Sequence, residues 1–311
     1  MDESRYYAYS DYLKNLFGGK THKVVVSSGL TCPTRDGTIA KKGCAFCDVR
    51  GSSSFHGKQL RGRSVRAQLE SRIAPIQERF GAKHFLAYFQ SYSNTYSDVE
   101  YLRRIYKEAL ETPGISGLCV GTRPDCLPDP VLGLLEELAK QAYVSLELGV
   151  QSFEDSTLEW LTRGHSGACS LDAFERTRRL APSVNTCAHL MFGSPTDSPR
   201  AGRDAALLLN QAKIQGAKLH QLMVLENTEL ANRYREAAFP TLSVDGYAEI
   251  VVDFIEHLDP TIYIERLFAT PSHQDECLAP EWSLNRWDTH NRLKAVFEER
   301  SVRQGSRLPI Q

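Results

Sequence analysis

Val24-Val25-Val26-Ser27-Ser28-Gly29-Leu30-Thr31 runs directly into Cys32-Pro33-Thr34-Arg35-Asp36-Gly37-Thr38-Ile39-Ala40-Lys41-Lys42-Gly43-Cys44-Ala45-Phe46-Cys47, an apolar, β-branched run that ends in three cysteines spaced Cys-x11-Cys-x2-Cys. Short apolar runs rich in valine and closed by turn residues read as buried strands. The cysteines therefore follow the C-terminal end of a first strand, the place where parallel α/β folds put their chemistry.

Outward from this strand the pattern repeats. Helical periodicity is expected near Val65 to Phe80, Val99 to Glu111, Pro130 to Gln141, Ser170 to Leu180 and Arg200 to Gln215. Between these lie strand-like runs at His84 to Gln90, Ile115 to Gly121, Tyr143 to Val150, Val184 to Phe192 and Ala217 to Leu225. Strands separated by helices of ten or more residues argue for a parallel sheet with right-handed crossovers. The expected fold class is α/β, a partial (β/α)6 TIM-like barrel with a small C-terminal α/β extension. Three segments follow from this: residues 1–23 docking on the barrel through Tyr6, Tyr7, Tyr9 and Tyr12, a barrel over 24–242, and an extension over 243–311. Six units fall short of the eight that close a full barrel, which leaves a lateral opening for a large substrate.

Three thiolates at this spacing can hold three irons of a 4Fe–4S cluster and leave the fourth open, which permits chemistry at the cluster. S-adenosylmethionine (SAM) is the natural ligand for that iron. Zinc and free thiols are the competing readings. Zinc in a structural site takes four ligands, usually as two pairs, and neither His22 nor His56 has a paired spacing.

Composition fits a soluble enzyme with a large core: 311 residues, 41% apolar and 24% charged. No apolar run reaches the length of about 18 residues that a membrane helix needs, and the N-terminus lacks the features of a signal peptide. A cytoplasmic location is expected, and eight cysteines without framework spacing fit a reducing compartment. The formal net charge is −1. Locally, Lys41, Lys42, Arg50, Lys58, Arg61, Arg63 and Arg66 face only Asp48. That is either a phosphate-binding rim or a solvated loop and helix start.

The cysteine motif, Tyr88-Phe-Gln-Ser-Tyr-Ser-Asn-Thr-Tyr96, Gly121-Thr-Arg-Pro-Asp125, Leu146-Glu-Leu-Gly-Val-Gln-Ser152, Arg163-Gly-His165 and Glu281-Trp-Ser-Leu-Asn-Arg-Trp287 together resemble the radical SAM superfamily. Within it the chain is most similar to the YhcC/YtqA-like family. That family is related to the radical SAM domain of the Elongator catalytic subunit and, more distantly, to the oxygen-independent coproporphyrinogen oxidases.

The resemblance implies Cys32, Cys44 and Cys47 as cluster ligands, with Phe46 beside the adenine of SAM. Gln90, Ser91 and Asn94 stand where the family has a glycine-rich stretch for the methionine amine. Thr122, Arg123 and Asp125 face SAM or substrate. Glu147, Gln151 and Ser152 suit the ribose and methionine polar groups, and Arg163 offers a guanidinium fork to the methionine carboxylate. Simpler readings stand beside these. Asp125 can be a turn cap, His165 a loop hydrogen-bonder and His189 a satisfied core histidine. Cys277 could donate a hydrogen atom, and Thr196 and Asp197 sit where relatives carry Gly-x-Pro-Gly-Glu. Glu147, set among apolar strand residues, needs a partner wherever it points.

The implied mechanism is one-electron reduction of the cluster, cleavage of SAM to methionine and a 5′-deoxyadenosyl radical, and removal of hydrogen from a C–H bond. A flavodoxin- or ferredoxin-type reductase is the implied electron donor. The Elongator-like relatives point to tRNA and its wobble uridine as substrate, with a separate methyltransferase as a further partner because no acetyltransferase domain is present. A small-molecule radical SAM enzyme and a non-catalytic metal-binding scaffold are the alternatives.

Overall fold

The computed structural model describes residues 5–48 and 62–309. In chain order the elements are α1 (Tyr9–Phe17), β1 (Thr21–Val26), α2 (Val65–Phe80), β2 (His84–Phe89), α3 (Val99–Leu110), β3 (Ile115–Thr122), α4 (Asp129–Ala139), β4 (Tyr143–Gln151), α5 (Asp155–Trp160) and α6 (Gly167–Leu180). They continue with β5 (Asn185–Phe192), α7 (Ala201–Ala212), β6 (Gly216–Gln221), β7 (Val224–Leu225), α8 (Glu229–Glu236), α9 (Val244–His257), β8 (Tyr263–Arg266), β9 (Cys277–Ala279) and α10 (Arg286–Glu299).

One seven-stranded sheet in the order β1-β2-β3-β4-β5-β6-β8, parallel throughout, forms the barrel wall. The sheet is open, with β1 and β8 as its edges. The expected barrel is thus present with one more strand than the six counted. β8 lies within the segment 243–311 assigned to the C-terminal extension and pairs in parallel with β6. Residues from the extension therefore belong to the barrel wall.

Strand parity divides the side chains. Val24, Val26, Ala87, Phe89, Leu118, Val120, Leu146, Leu148, Ala188, Leu190, Ala217 and Leu219 are buried in the layer between sheet and helices. Their neighbours in sequence face the barrel interior, as period two requires. Helix starts are capped by side chains: Ser64 accepts from the Ala67 amide, Asp98 from Glu100 and Tyr101, and Ser243 from Gly246. The α7 and α9 helices pack so closely that a Cβ on Gly202 would lie 2.5 Å from the Ile250 carbonyl oxygen.

The N-terminal segment plugs one end of the barrel. The rings of Tyr9 and Tyr12 lie 4.7 and 4.6 Å from that of Tyr263. The Asn185 side chain joins the Tyr12 and Tyr263 hydroxyls, accepting from Tyr263 at 2.6 Å and donating to Tyr12 at 3.1 Å.

β1 is displaced from the expected Val24 to Thr31 run. It ends at Val26, because Ser27 hands its amide to the Gln68 side chain and Gly29 turns the chain at a φ of +74°. That turn delivers Cys32 to the rim.

Candidate active site at the barrel mouth

A cavity of about 460 Å³ occupies the end of the barrel where the strands terminate, and all three motif cysteines line it. Cys32 and Cys44 are buried, and the Thr34 hydroxyl lies between them at 3.2 Å from the first sulfur and 4.0 Å from the second. Ser93 donates to the Cys32 sulfur at 3.4 Å. Arg163 Nη1 donates to Cys44 Sγ at 3.1 Å, and Arg123 Nη1 lies 3.6 Å from the same sulfur. Burial disfavours a charged Cys44, but these two guanidiniums overcome it and hold the thiol below its ordinary pKa. Cys47 shows the opposite balance: burial pushes it up to about 11 and Arg35 offsets only part of this.

Among the described residues no three His, Cys, Asp or Glu side chains group around a single metal-ion position. The fit to a multinuclear cluster rests on the donors: three soft thiols on one cavity wall, one biased toward thiolate, beside Arg163, whose buried Nε has no hydrogen-bond partner. This set suits iron ligated by sulfur with an anionic ligand beside it.

Of the other residues expected at the site, Phe46, Gln90, Ser91, Thr122, Arg123, Glu147, Gln151 and Arg163 line the cavity. Phe46 stacks beneath Arg163, ring centroid to guanidinium 5.8 Å. Ser91, Tyr92 and Gln151 all have positive φ, at 78°, 64° and 69°, a left-handed backbone uncommon for residues with side chains and concentrated where function holds it.

Three expected residues fall outside the cavity lining. Asn94 is fully buried, donating to the carbonyls of Phe89, Ser91 and Gly121, so it braces the β2 and β3 ends from behind. Asp125 grips the Arg123 guanidinium with both oxygens at 2.8 Å. Ser152 turns back to accept from the Glu154 amide. In this structure the side chains of all three are engaged by neighbouring backbone or by Arg123.

Glu147 is in the cavity floor, but its oxygens are already taken. Lys23 Nζ lies 2.5 Å from Oε1, His189 Nε2 2.8 Å from Oε2 and Lys218 Nζ 3.3 Å from Oε2. Both lysines also meet Glu265, each at 2.6 Å. This lattice takes side chains from β1, β4, β5, β6 and β8, and so spans the interior between the two edge strands. Tyr88 lies against both ammonium groups, its centroid 4.9 Å from Lys23 and 5.1 Å from Lys218. Burial alone would raise the Glu147 carboxyl, yet Lys218 and Lys23 hold it well below the usual range. His189 is held below its ordinary value, first by burial and then by Lys218.

Lys23, Lys218, Glu265, His220 and Arg266 were not singled out from the sequence. For Lys218 and His220 the signal was alternation on β6, where they share a parity opposite to that of Ala217 and Leu219.

Other residues are structural here. Asp197 accepts from the amides of Gly193 and Ser194 and from the Thr157 hydroxyl, locking the loop after β5. Cys277 lies in β9, half-buried, its sulfur 3.8 Å from the Ala279 carbonyl oxygen. His165 Nδ1 faces the Ser166 carbonyl, and burial followed by Arg163 and Arg123 lowers its pKa to about 4. Of the basic stretch, Arg50, Lys58 and Arg61, like His56, lie outside the described residues.

Residues 37–209, more than half of the chain, match the radical SAM superfamily. The chain belongs to the radical SAM superfamily. Residues 214–299 match the radical SAM C-terminal domain, so the boundary expected at 242/243 falls inside this second match. Protein YhcC of Escherichia coli (strain K12) is 36% identical over 307 residues, covering 95% of this chain and 96% of its own. The uncharacterized protein YtqA of Bacillus subtilis (strain 168) is 31% identical over 303 residues, covering 97% and 92%.

Among solved structures, the archaeal Elp3 of Methanocaldococcus infernus, with an N-terminal deletion, superposes with a TM-score of 0.67 at 17% identity over 91% of this chain and 64% of that one. Coproporphyrinogen III oxidase (HemN) of Escherichia coli, a radical SAM enzyme, gives 0.50 at 16% identity, over 76% and 51%. At these identities the likeness concerns the fold. Radical SAM enzymes use a 4Fe–4S cluster and SAM and require a reductant. No helix among the described residues is long and apolar enough to cross a membrane.

Proposed function

We propose that this radical SAM enzyme modifies tRNA, acting at the wobble uridine, with Cys32, Cys44 and Cys47 as the cluster ligands and Arg163 as the receptor for the SAM carboxylate. The observation that carries the site assignment is the meeting of Arg163 and Arg123 on Cys44 within the cavity that all three thiols line. When bound, cluster and SAM supply a 5′-deoxyadenosyl radical able to take hydrogen from an unactivated C–H bond.

The chain's own contribution is positional. Arg163 is anchored on the Gly149 carbonyl at 2.5 Å and presents its remaining donors to the cavity. Arg123, fixed by Asp125, braces the Arg163 carbonyl at 2.6 Å. Phe46 offers an apolar ring for a base, and the left-handed residues at 91 and 92 turn the β2 end across the cavity. The plugged opposite end and the ionic floor close the barrel interior away from the mouth.

For the substrate, support comes from the lateral opening between β1 and β8, from the exposed Lys41 and Lys42 of the cysteine loop, and from the resemblance to the Elongator domain. A reductase of flavodoxin or ferredoxin type would deliver the electron, and a separate methyltransferase would use the product. A second reading, a small-molecule substrate, is favoured by the cavity itself, since 460 Å³ lies in the usual range for such ligands.

The test is anaerobic reconstitution with iron and sulfide, then dithionite and SAM, with 5′-deoxyadenosine measured for the wild type and for Cys44→Ala. Product from the wild type alone supports the site. Filter binding of unmodified tRNA over a salt series then separates the substrates: a steep decline with salt supports RNA, and no binding at low salt favours a small molecule.

A further inference from the structure

The cavity has a second cationic pole. Each cation on its lining can be matched to the groups its donors meet. Arg35 donates to the carbonyls of Cys47 and Asp48, and Arg123 is held by Asp125. Lys218 belongs to the lattice in which two lysines face two glutamates. Three guanidiniums of the lining have no carboxylate partner among the described residues: Arg35, held by the two carbonyls, Arg163 beside Cys44, and Arg266 at the end of β8. Arg266 spends only its Nε, on the Leu219 carbonyl at 3.3 Å, and lines the cavity.

A local irregularity aims Arg266 inward. The β6–β8 ladder pairs Ala217 with Ile264 and then Lys218 with Arg266, so one extra residue, Glu265, is accommodated on β8. In a regular strand Glu265 and Arg266 would point to opposite faces. Here Glu265 reaches the lysines of the interior while Arg266 is paired beside Lys218, itself inward-facing. Bulges that re-aim a side chain are common beside active sites. The register presents a guanidinium whose hydrogen bonding among the described residues is confined to the Leu219 carbonyl.

His220, beside it on β6, adds no compensating charge. Burial and then Arg266 lower its pKa to about 3, and its Nδ1 faces the Gln221 carbonyl oxygen. Glu276 is the carboxylate on the same side of the lining, carried by the short turn before β9.

We propose that Arg266 anchors an oxyanion of the substrate, a carboxylate or a phosphate ester, so that the cavity takes two anions at once: the SAM carboxylate at Arg163 and a substrate anion at Arg266. This deepens the functional reading above and rests on its placing SAM at the cysteine side. Arg266 is then a specificity-determining residue. Its planar fork suits the bidentate geometry of either oxyanion, which a lysine does not reproduce.

The experiment uses the full chain, reconstituted anaerobically and saturated with SAM so that the Arg163 pole is filled. Acetate, methyl phosphate and, as neutral control, methyl acetate are titrated at millimolar concentrations with ligand-observed NMR, on the wild type, Arg266→Met and Arg266→Lys. The wild type should bind at least one oxyanion and not the neutral ester. Arg266→Met should weaken that binding by about tenfold or more, with Arg266→Lys intermediate. Acetate alone would mark the substrate group as a carboxylate and methyl phosphate alone as a phosphate; binding of both supports the shared chemistry. Oxyanion binding equal in wild type and Arg266→Met, or none in the wild type, overturns the proposal. Should Arg266→Met fail to fold, undiminished binding by Arg266→Lys does the same. Failure of the wild type to bind SAM or make 5′-deoxyadenosine would instead remove the functional reading itself.

Discussion

Replacing Glu147 by Gln should cost this protein more than almost any other isosteric change, because the carboxylate is the hub of a buried charge lattice. Its side chain has 0% exposure and meets Lys23, His189 and Lys218 at 2.5, 2.8 and 3.3 Å. Removal of its charge leaves two interior lysines opposed by Glu265 alone. Breaking a buried ion pair by deleting one partner costs about 3–5 kcal/mol, mostly the penalty of the charge left behind. At roughly 2 °C per kcal/mol for a chain of this size, Tm should fall by roughly 6–10 °C at neutral pH.

Adding Lys218→Met removes the excess charge. The double variant should therefore recover more than half of the loss, a coupling expected of groups in direct contact. The pH dependence has a defined sign. Because the folded Glu147 carboxyl is depressed below its unfolded value, its contribution is present above about pH 4.3 and is lost as pH falls through the folded pKa. Thermal melts followed by circular dichroism should thus show the full gap between wild type and Glu147→Gln at neutral pH and a narrowing gap below about pH 4. A Tm within about 2 °C of wild type at neutral pH, or no recovery in the double variant, would refute the idea that the lattice is held together by this charge.

Arg163→Lys should reduce SAM affinity by about tenfold or more while leaving iron content per chain unchanged, since a lysine keeps the charge but not the fork; equilibrium dialysis and iron analysis read the two separately. Gly216→Ala would put a Cβ 2.1 Å from Cε2 of the buried Tyr263 ring. Overpacking of this kind costs about 1–3 kcal/mol, and the displaced ring should appear as a lowered Tm with a changed near-ultraviolet spectrum. Asp197 is raised to about 6, by burial that its Gly193 and Thr157 bonds only partly offset. Its folded pKa exceeds the unfolded one, so its stabilising contribution holds below about pH 4 and is lost as pH rises through about 6. Melts across this window should show wild type losing stability relative to Asp197→Asn.

The order of strands and helices was legible because each element carries its own period. Six strands declared themselves by apolar runs, and the helices between them by their own periodicity. The seventh strand escaped inclusion in the barrel because Tyr263-Ile264-Glu265-Arg266 is short and ends in two consecutive charges, which at sequence level look like an exposed end. The three cysteines and Arg163 were found from motif spacing and resemblance. Asn94, Asp125 and Ser152 looked like ligand contacts for the same reason, being polar residues at strand ends. What separates them from Gln90 or Arg123 is which neighbouring carbonyl, amide or guanidinium captures them, and that depends on backbone geometry.

Glu147 shows where local reading stops. That a carboxylate inside an apolar strand must be paired follows from desolvation alone, but its partners stand 124 residues before it and 71 after it, on strands that meet only when the sheet curls. The same fact explains why an open barrel needs such a lattice. A closed barrel joins its first and last strands by backbone hydrogen bonds; here β1 and β8 have no such pairing, and Lys23 reaching Glu265 at 2.6 Å is a side-chain bond across the missing seam. Buried charges are a poor source of net stability, so their value in this position lies in holding a particular curvature while leaving the lateral opening free. A hydrophobic replacement of the whole lattice would fill the interior equally well, but it would remove the Lys23–Glu265 side-chain bond that joins the two edge strands across the cavity floor. The geometry of Arg266, one residue beyond Glu265 on the same strand, depends on that tie.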